Sequence, residues 1–156
     1  MTPGETEAVV RGLYGSFNLK DLDRFDAVAN FGATVEWTAF DHRMGLREAW
    51  QTWARAFPDA QVEIVRIEAH EGSALAEVIG RGTHLGPLEL PTGTLAPTHR
   101  KVELHLAETF ELEDREGKIA RAVSAFNVRD LFHQLGVPPP TPLVREPVQA
   151  EFHWGY

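Results

Sequence analysis

The stretch that decides the fold is RKVELHLAETFEL at 100–112, followed by EDREGK at 113–118 and IARAVSAFN at 119–127. In the first run Leu104, Leu106, Phe110 and Leu112 share one phase with Glu108, and Glu103, His105, Thr109 and Glu111 take the other. A period of two is the signature of a strand with one apolar face. The charged, glycine-containing segment 113–118 reads as a hairpin turn, so 119–127 returns as a second strand. Working outward, 61–69 alternates with one parity slip at Val65, which predicts a bulge. Glu71-Gly72 marks a turn, and 74–84 reads as another long strand. The segment 85–99, rich in Gly, Pro and Thr, reads as a loop.

Ahead of the strands the period changes. Val9, Val10, Leu13, Tyr14 and Phe17 have helical spacing and predict a helix over 6–18. A short helix over 21–29 follows, with Asp21 as its N-cap. A strand is expected over 33–38. A third helix, 46–57, carries Leu46, Ala49, Trp50, Trp53 and Phe57 on one face and stops at Pro58. After the last strand, 130–135 reads as a helical turn that Asp130 would cap, ended by Gly136 and Pro138. The proline-rich segment 138–156 is expected to lie extended on a surface. Helices first and antiparallel strands afterwards is an α+β order. A curved sheet folded over those helices would enclose a cone with one open mouth. We therefore expect a single domain over 1–137 and a tail over 138–156.

Composition narrows the function. The apolar fraction of 43% and charged fraction of 24% are those of a folded domain. The net charge of −8 disfavours nucleic acid as a partner, because binding it requires a basic surface. No apolar run is long enough to suggest a membrane span, and MTPGETEAVV lacks the pattern of a signal peptide, so a cytoplasmic location is expected. There is no cysteine, hence no thiolate nucleophile and no thiolate metal site. The histidines show no i, i+4 pair within one helix, and no metal is expected. There is no phosphate-binding glycine loop, no dinucleotide fingerprint and no nucleophile elbow.

Several short motifs occur in a particular order: Phe57-Pro58-Asp59, Gly82-Thr83-His84-Leu85-Gly86, Pro91-Thr92-Gly93, Glu116-Gly117-Lys118-Ile119 and Gln134-Leu135-Gly136. Over roughly Glu7 to Val137 this set resembles the SnoaL-like polyketide cyclase, or ester cyclase, branch of the NTF2-like superfamily. The resemblance implies a cone-shaped α+β barrel, often dimeric, with a pocket that works without a cofactor. It also implies a pocket carboxylate acting as general acid/base in an intramolecular aldol-type ring closure. The family's aspartate lies seven residues before the Gln of Gln-Leu-Gly, and that position here is Asn127. An amide cannot exchange protons near neutral pH, so the chain departs from the family at this point. A second polar position of the family, histidine in some cyclases, falls on Glu108.

The residues themselves nominate a site. Period-two geometry sets Glu108 among apolar neighbours, where desolvation raises a carboxyl pKa toward the range that acid/base work needs. Its rival role is an ion pair with Arg66, Arg81 or Arg121. Asn127 shares parity with Val123 and Ala125 and is expected to face the interior, where its amide would hold a carbonyl or enolate. Its rival role is local backbone capping. His84 would shuttle protons at the mouth, or else tie down the adjoining loop. Tyr14, Phe17, Trp37, Phe40, Trp53, Phe57 and Phe110 are candidate walls for a small apolar molecule, and core packing is the alternative for most of them.

The reading is a cofactor-independent cyclase, isomerase or lyase acting on a small carbonyl compound, and a homodimer. The rivals are a non-catalytic ligand-binding or dimerisation module, and an epoxide hydrolase, whose Asp-Arg-Asp set cannot be assembled from these residues.

Overall fold

The computed structural model describes residues 1–139. The expected tail therefore lies, from residue 140 onward, outside the described residues.

Helix α1 (Pro3–Leu19) starts earlier than hydrophobic periodicity suggests. Thr2 Oγ1 accepts from the Glu5 N–H, and Glu5 Oε1 accepts from the Thr2 N–H, a reciprocal capping box. The helix ends at Lys20 in the left-handed conformation, and the Lys20 ammonium donates to the Ala60 carbonyl at 2.6 Å. Asp21 caps α2 (Leu22–Val28) by accepting from the Asp23 and Arg24 N–H groups, as expected. Strand β1 (Ala29–Trp37) runs into a 3₁₀ turn and back as β2 (His42–Gly45), a hairpin the sequence did not announce. Helix α3 (Leu46–Ala56) follows directly.

Strands β3 (Gln61–Ala69) and β4 (Ser73–Thr83) pair antiparallel, with the expected register shift falling between Ile64 and Arg66. The 85–99 loop contains a small hairpin, β5 (Leu88–Leu90) and β6 (Gly93–Leu95). Strands β7 (Lys101–Leu112) and β8 (Ile119–Phe126) form the predicted hairpin. Helix α4 (Val128–Leu135) closes the domain.

The main sheet has the order β2-β1-β8-β7-β4-β3. All its pairings are antiparallel except β1 with β8. Helix α1 packs across β3 and β4, α3 against β1, and α4 against β7. The core lies between these helices and the inner face of the sheet. Val102, Leu104, Phe110 and Leu112 of β7 are buried there, and each large apolar side chain contributes about 1.5–3 kcal/mol by leaving water. This is the α+β cone expected of the chain. Among the described residues no helix is long and apolar enough to cross a membrane.

One face assignment is corrected. On β8 the residues opposite the inward positions Leu106, Glu108 and Phe110 are Phe126, Ser124 and Ala122. Val123 and Ala125 oppose Thr109 and Ala107 and so face outward. Parity with Val123 and Ala125 therefore does not bring Asn127 into the interior.

Candidate active site

The inner face of β4 is made of small residues: Ala74, Ala76, Val78, Gly80 and Gly82. Across from it stand large rings on α1 and α3. Small side chains facing rigid rings that rest on one another leave space. The result is a cavity of about 140 Å³ whose wall includes Tyr14, Phe17, Trp37, Trp53, Phe57 and Glu108. The rings brace each other: Trp37 and Trp53 lie 5.5 Å apart, Trp53 and Phe126 5.6 Å, and Trp53 and Phe57 6.1 Å. Of the predicted wall residues, Phe40 and Phe110 stand behind it. Phe40 packs on Trp37 and Phe126, and Phe110 meets the edge of Tyr14 at 6.1 Å. Trp50, which was expected on the same helix face but not singled out, lines the cavity. Its indole N–H is directed to Ser16 Oγ at 3.2 Å.

Glu108 is the carboxylate of this wall. Its cross-strand neighbours are Ala76 on β4 and Ser124 on β8. The Tyr14 hydroxyl, one helix away, donates to Glu108 Oε1 at 2.7 Å, and the Ser124 hydroxyl donates to Oε2 at 2.6 Å. Both carboxylate oxygens are thus fixed by neutral donors, and the surface that Glu108 keeps accessible faces the cavity. The arginines considered as partners are engaged elsewhere: Arg66 with Glu77 at 3.4 Å, Arg81 with Glu63 and Glu103, and Arg121 with Glu111. Burial raises the Glu108 pKa above its ordinary value, and the hydrogen bonds from Ser124 and then Tyr14 pull the other way. Tyr14 is pushed well above its usual value, first by burial, then by the charge of Glu108 and by its bond to that carboxylate. Tyr14 therefore stays a neutral donor across the physiological range.

The other predicted site residues lie elsewhere. Asn127 is the N-cap of α4, its Oδ1 accepting from the Asp130 N–H at 3.0 Å. It is not on the cavity wall, and its amide is engaged in ending β8 and starting the helix. Asp130, expected to cap that helix, is in its first turn instead and accepts from the Gln134 amide at 2.8 Å. His84 is fully buried behind Phe57, ring centroids 5.3 Å apart, and not on the cavity wall. Its Nδ1 accepts from the Thr98 N–H at 3.1 Å, which leaves the proton on Nε2. Its pKa is lowered, first by burial, with the Gly86 carbonyl opposing and His99 adding to the depression. It holds the two ends of the 85–99 loop together. Among the described residues, no cluster of three or more His, Cys, Asp or Glu has the arrangement to hold a metal ion.

Ser124 was not anticipated. Counting pairs outward from the 113–118 turn, Leu112 with Ile119, sets Val123 opposite Glu108. A register shift between Glu111 and Leu112 moves the pairing by one residue and brings Ser124 there instead.

The chain is similar to solved structures of this architecture. AclR from Streptomyces galilaeus superposes with a TM-score of 0.71 at 24% identity, over 90% of this chain and 87% of that one. TsrD from Streptomyces laurentii gives 0.73 at 19% identity, over 88% and 99%. An LEH-like epoxide hydrolase from M. tuberculosis gives 0.63 at 22% identity, over 85% and 90%. At these identities the likeness is one of fold. No curated protein matches the sequence. The family model for SnoaL-like polyketide cyclase matches residues 8–135, nearly the whole folded domain. The chain belongs to the SnoaL-like polyketide cyclase family.

Proposed function

We propose that the chain is a cofactor-independent acid/base enzyme acting on a small, uncharged carbonyl compound. One observation carries this reading: a carboxylate on the wall of an apolar cavity, held by two neutral hydroxyls and offset by no cation among the described residues. Such a group is costly to keep unless its basicity is used. Glu108 takes a proton from a carbon next to a carbonyl, the C–H electron pair moves into the enolate, and the carboxyl group holds the proton. Return of that proton at another carbon gives an isomerase. Attack of the enolate carbon on a second carbonyl of the same molecule, with the proton passed to the new alkoxide, gives ring closure. Both sequences balance with no oxidant or metal.

Among the described wall residues Tyr14 is engaged with Glu108, and the Trp50 N–H with Ser16. Trp37, Trp53 and Arg81 also line the cavity and carry N–H groups. A substrate whose C–H is already acidic, flanked by two carbonyl groups, asks least of such donors. The test is C–H to C–D exchange of small cyclic ketones and β-keto esters in deuterium oxide, followed by NMR. Glu108→Gln is expected to slow enzyme-promoted exchange by about 10²–10⁴-fold. Equal rates in the two proteins would overturn the proposal.

The second reading is a binding module. It is favoured by Asn127, an amide at the family's carboxylate position that serves as a helix cap. Saturable binding of the same compounds with no exchange above the buffer rate would establish it. We also propose a homodimer formed through the outer face of the sheet, where Leu75, Ile79, Ala107 and Val123 are only half-buried.

A further inference from the structure

Glycine inside a strand weakens it and needs a reason. The inward positions of β4 hold two. At Gly82 the reason is packing: an added Cβ would lie 2.9 Å from Ala60 Cβ and 3.1 Å from Ala60 Cα. At Gly80 no such reason exists. The nearest heavy atom to an added Cβ is Leu106 Cδ1 at 3.9 Å, ordinary contact, and the backbone is not in the left-handed region. Gly80 pairs with Val62 on one side and Leu104 on the other, and all three line the cavity. The volume that a side chain at position 80 would take is the cavity itself.

We propose that Gly80 is a specificity-determining residue, its missing side chain making room for a single ring of the ligand. Glu108 stands on the same inner face, four residues along β7 from Leu104, the partner of Gly80. That separation is about 13 Å at about 3.3 Å per residue, and the Glu108 side chain spans part of it. A ligand reaching from Gly80 to the carboxylate is therefore one six-membered ring with a short polar substituent. The volume agrees, since a dry cavity of about 150 Å³ accepts one benzene-sized molecule. A fused multi-ring compound exceeds this volume. The polar end of the ligand rests on the acid/base reading above, while the ring size rests on the cavity alone.

The test is binding of cyclohexanone and of adamantanone, whose cage cannot enter end-on, followed by quenching of the cavity tryptophans and by thermal shift. Cyclohexanone is expected to bind and adamantanone to fail, in the wild type and in Glu108→Gln alike. Gly80→Val is expected to fold with a raised Tm, because it fills space and favours a strand, and to bind cyclohexanone at least about tenfold more weakly. Gly80→Ala is expected to bind it a few-fold more weakly and decides the matter if the valine variant does not fold. Wild-type cyclohexanone affinity in a folded Gly80 variant, or equal binding of the two ketones by the wild type, would overturn the proposal. Ring selection that persists while Glu108→Gln exchanges protons at the wild-type rate removes the acid/base reading and leaves this one standing. Loss of exchange in Glu108→Gln with no ring selection does the reverse.

Discussion

Glu108 is pulled in two directions, and the balance has a measurable sign. Burial lifts its folded-state pKa above the ordinary 4.5, and the two hydroxyl donors only partly offset this. Between the unfolded and the folded pKa the native protein holds a proton that the unfolded chain has released, so stability falls as pH rises through that window. Glutamine has the same shape and never ionises. The Tm of Glu108→Gln relative to wild type should therefore rise as pH is taken from about 4.5 toward neutrality. Parallel Tm curves across that range would mean that the carboxylate is solvated after all. The residue itself was legible in the sequence, because the alternation of Leu104, Leu106, Phe110 and Leu112 sets the phase of β7. Its partners were not. Tyr14 was read only as a wall, since nothing in a one-dimensional pattern says that a ring on α1 ends beside a carboxylate on β7. Ser124 was hidden by the bulge that slips the hairpin by one residue.

At the scale of elements, long periodic segments were readable and short ones were not. The slip at Val65, the Asp21 cap and the β7–β8 hairpin all follow from local chemistry visible in the chain. The β2 strand and the β5–β6 hairpin are too short to establish a period, and tertiary pairing decides them. Asn127 illustrates a boundary error: strand parity holds only while the strand lasts, and β8 ends at Phe126. At the next position the side chain accepts the Asp130 N–H and starts α4. Asn127→Ala should cost about 1 kcal/mol in denaturant unfolding, the usual value of an N-cap, with the cavity unchanged. Asn127→Asp should unfold within about 0.5 kcal/mol of wild type, since aspartate caps equally well. It should leave the exchange rate as it is. A gain in exchange from that single change would show that this position reaches the ligand.

For the molecule as a whole, the assembly prediction follows from which face each residue takes. The outer face carries half-buried apolar residues at its centre and arginine–glutamate pairs, such as Arg81 with Glu63 and Glu103, at its flank. Light scattering at micromolar concentration should report two chains for the wild type and one for Ile79→Arg. A wild-type mass of one chain would remove the dimer. The fold class was legible because the order of helical and alternating segments separates α+β from α/β architectures. The strand order was not, because no local signal tells β1 that its neighbour is β8.

That parallel seam has a consequence during synthesis. Thr38, just past β1, meets the Ser124 carbonyl across the seam, 86 positions further along the chain. A ribosome adding about 5–20 residues per second needs roughly 4–17 s to cover that interval. Throughout it, the edge of β1 and the rings of Trp37 and Phe40 await the strand that will cover them. The nascent amino-terminal half is thus an adhesive intermediate, and the hairpin with β2 shields only one of its flanks.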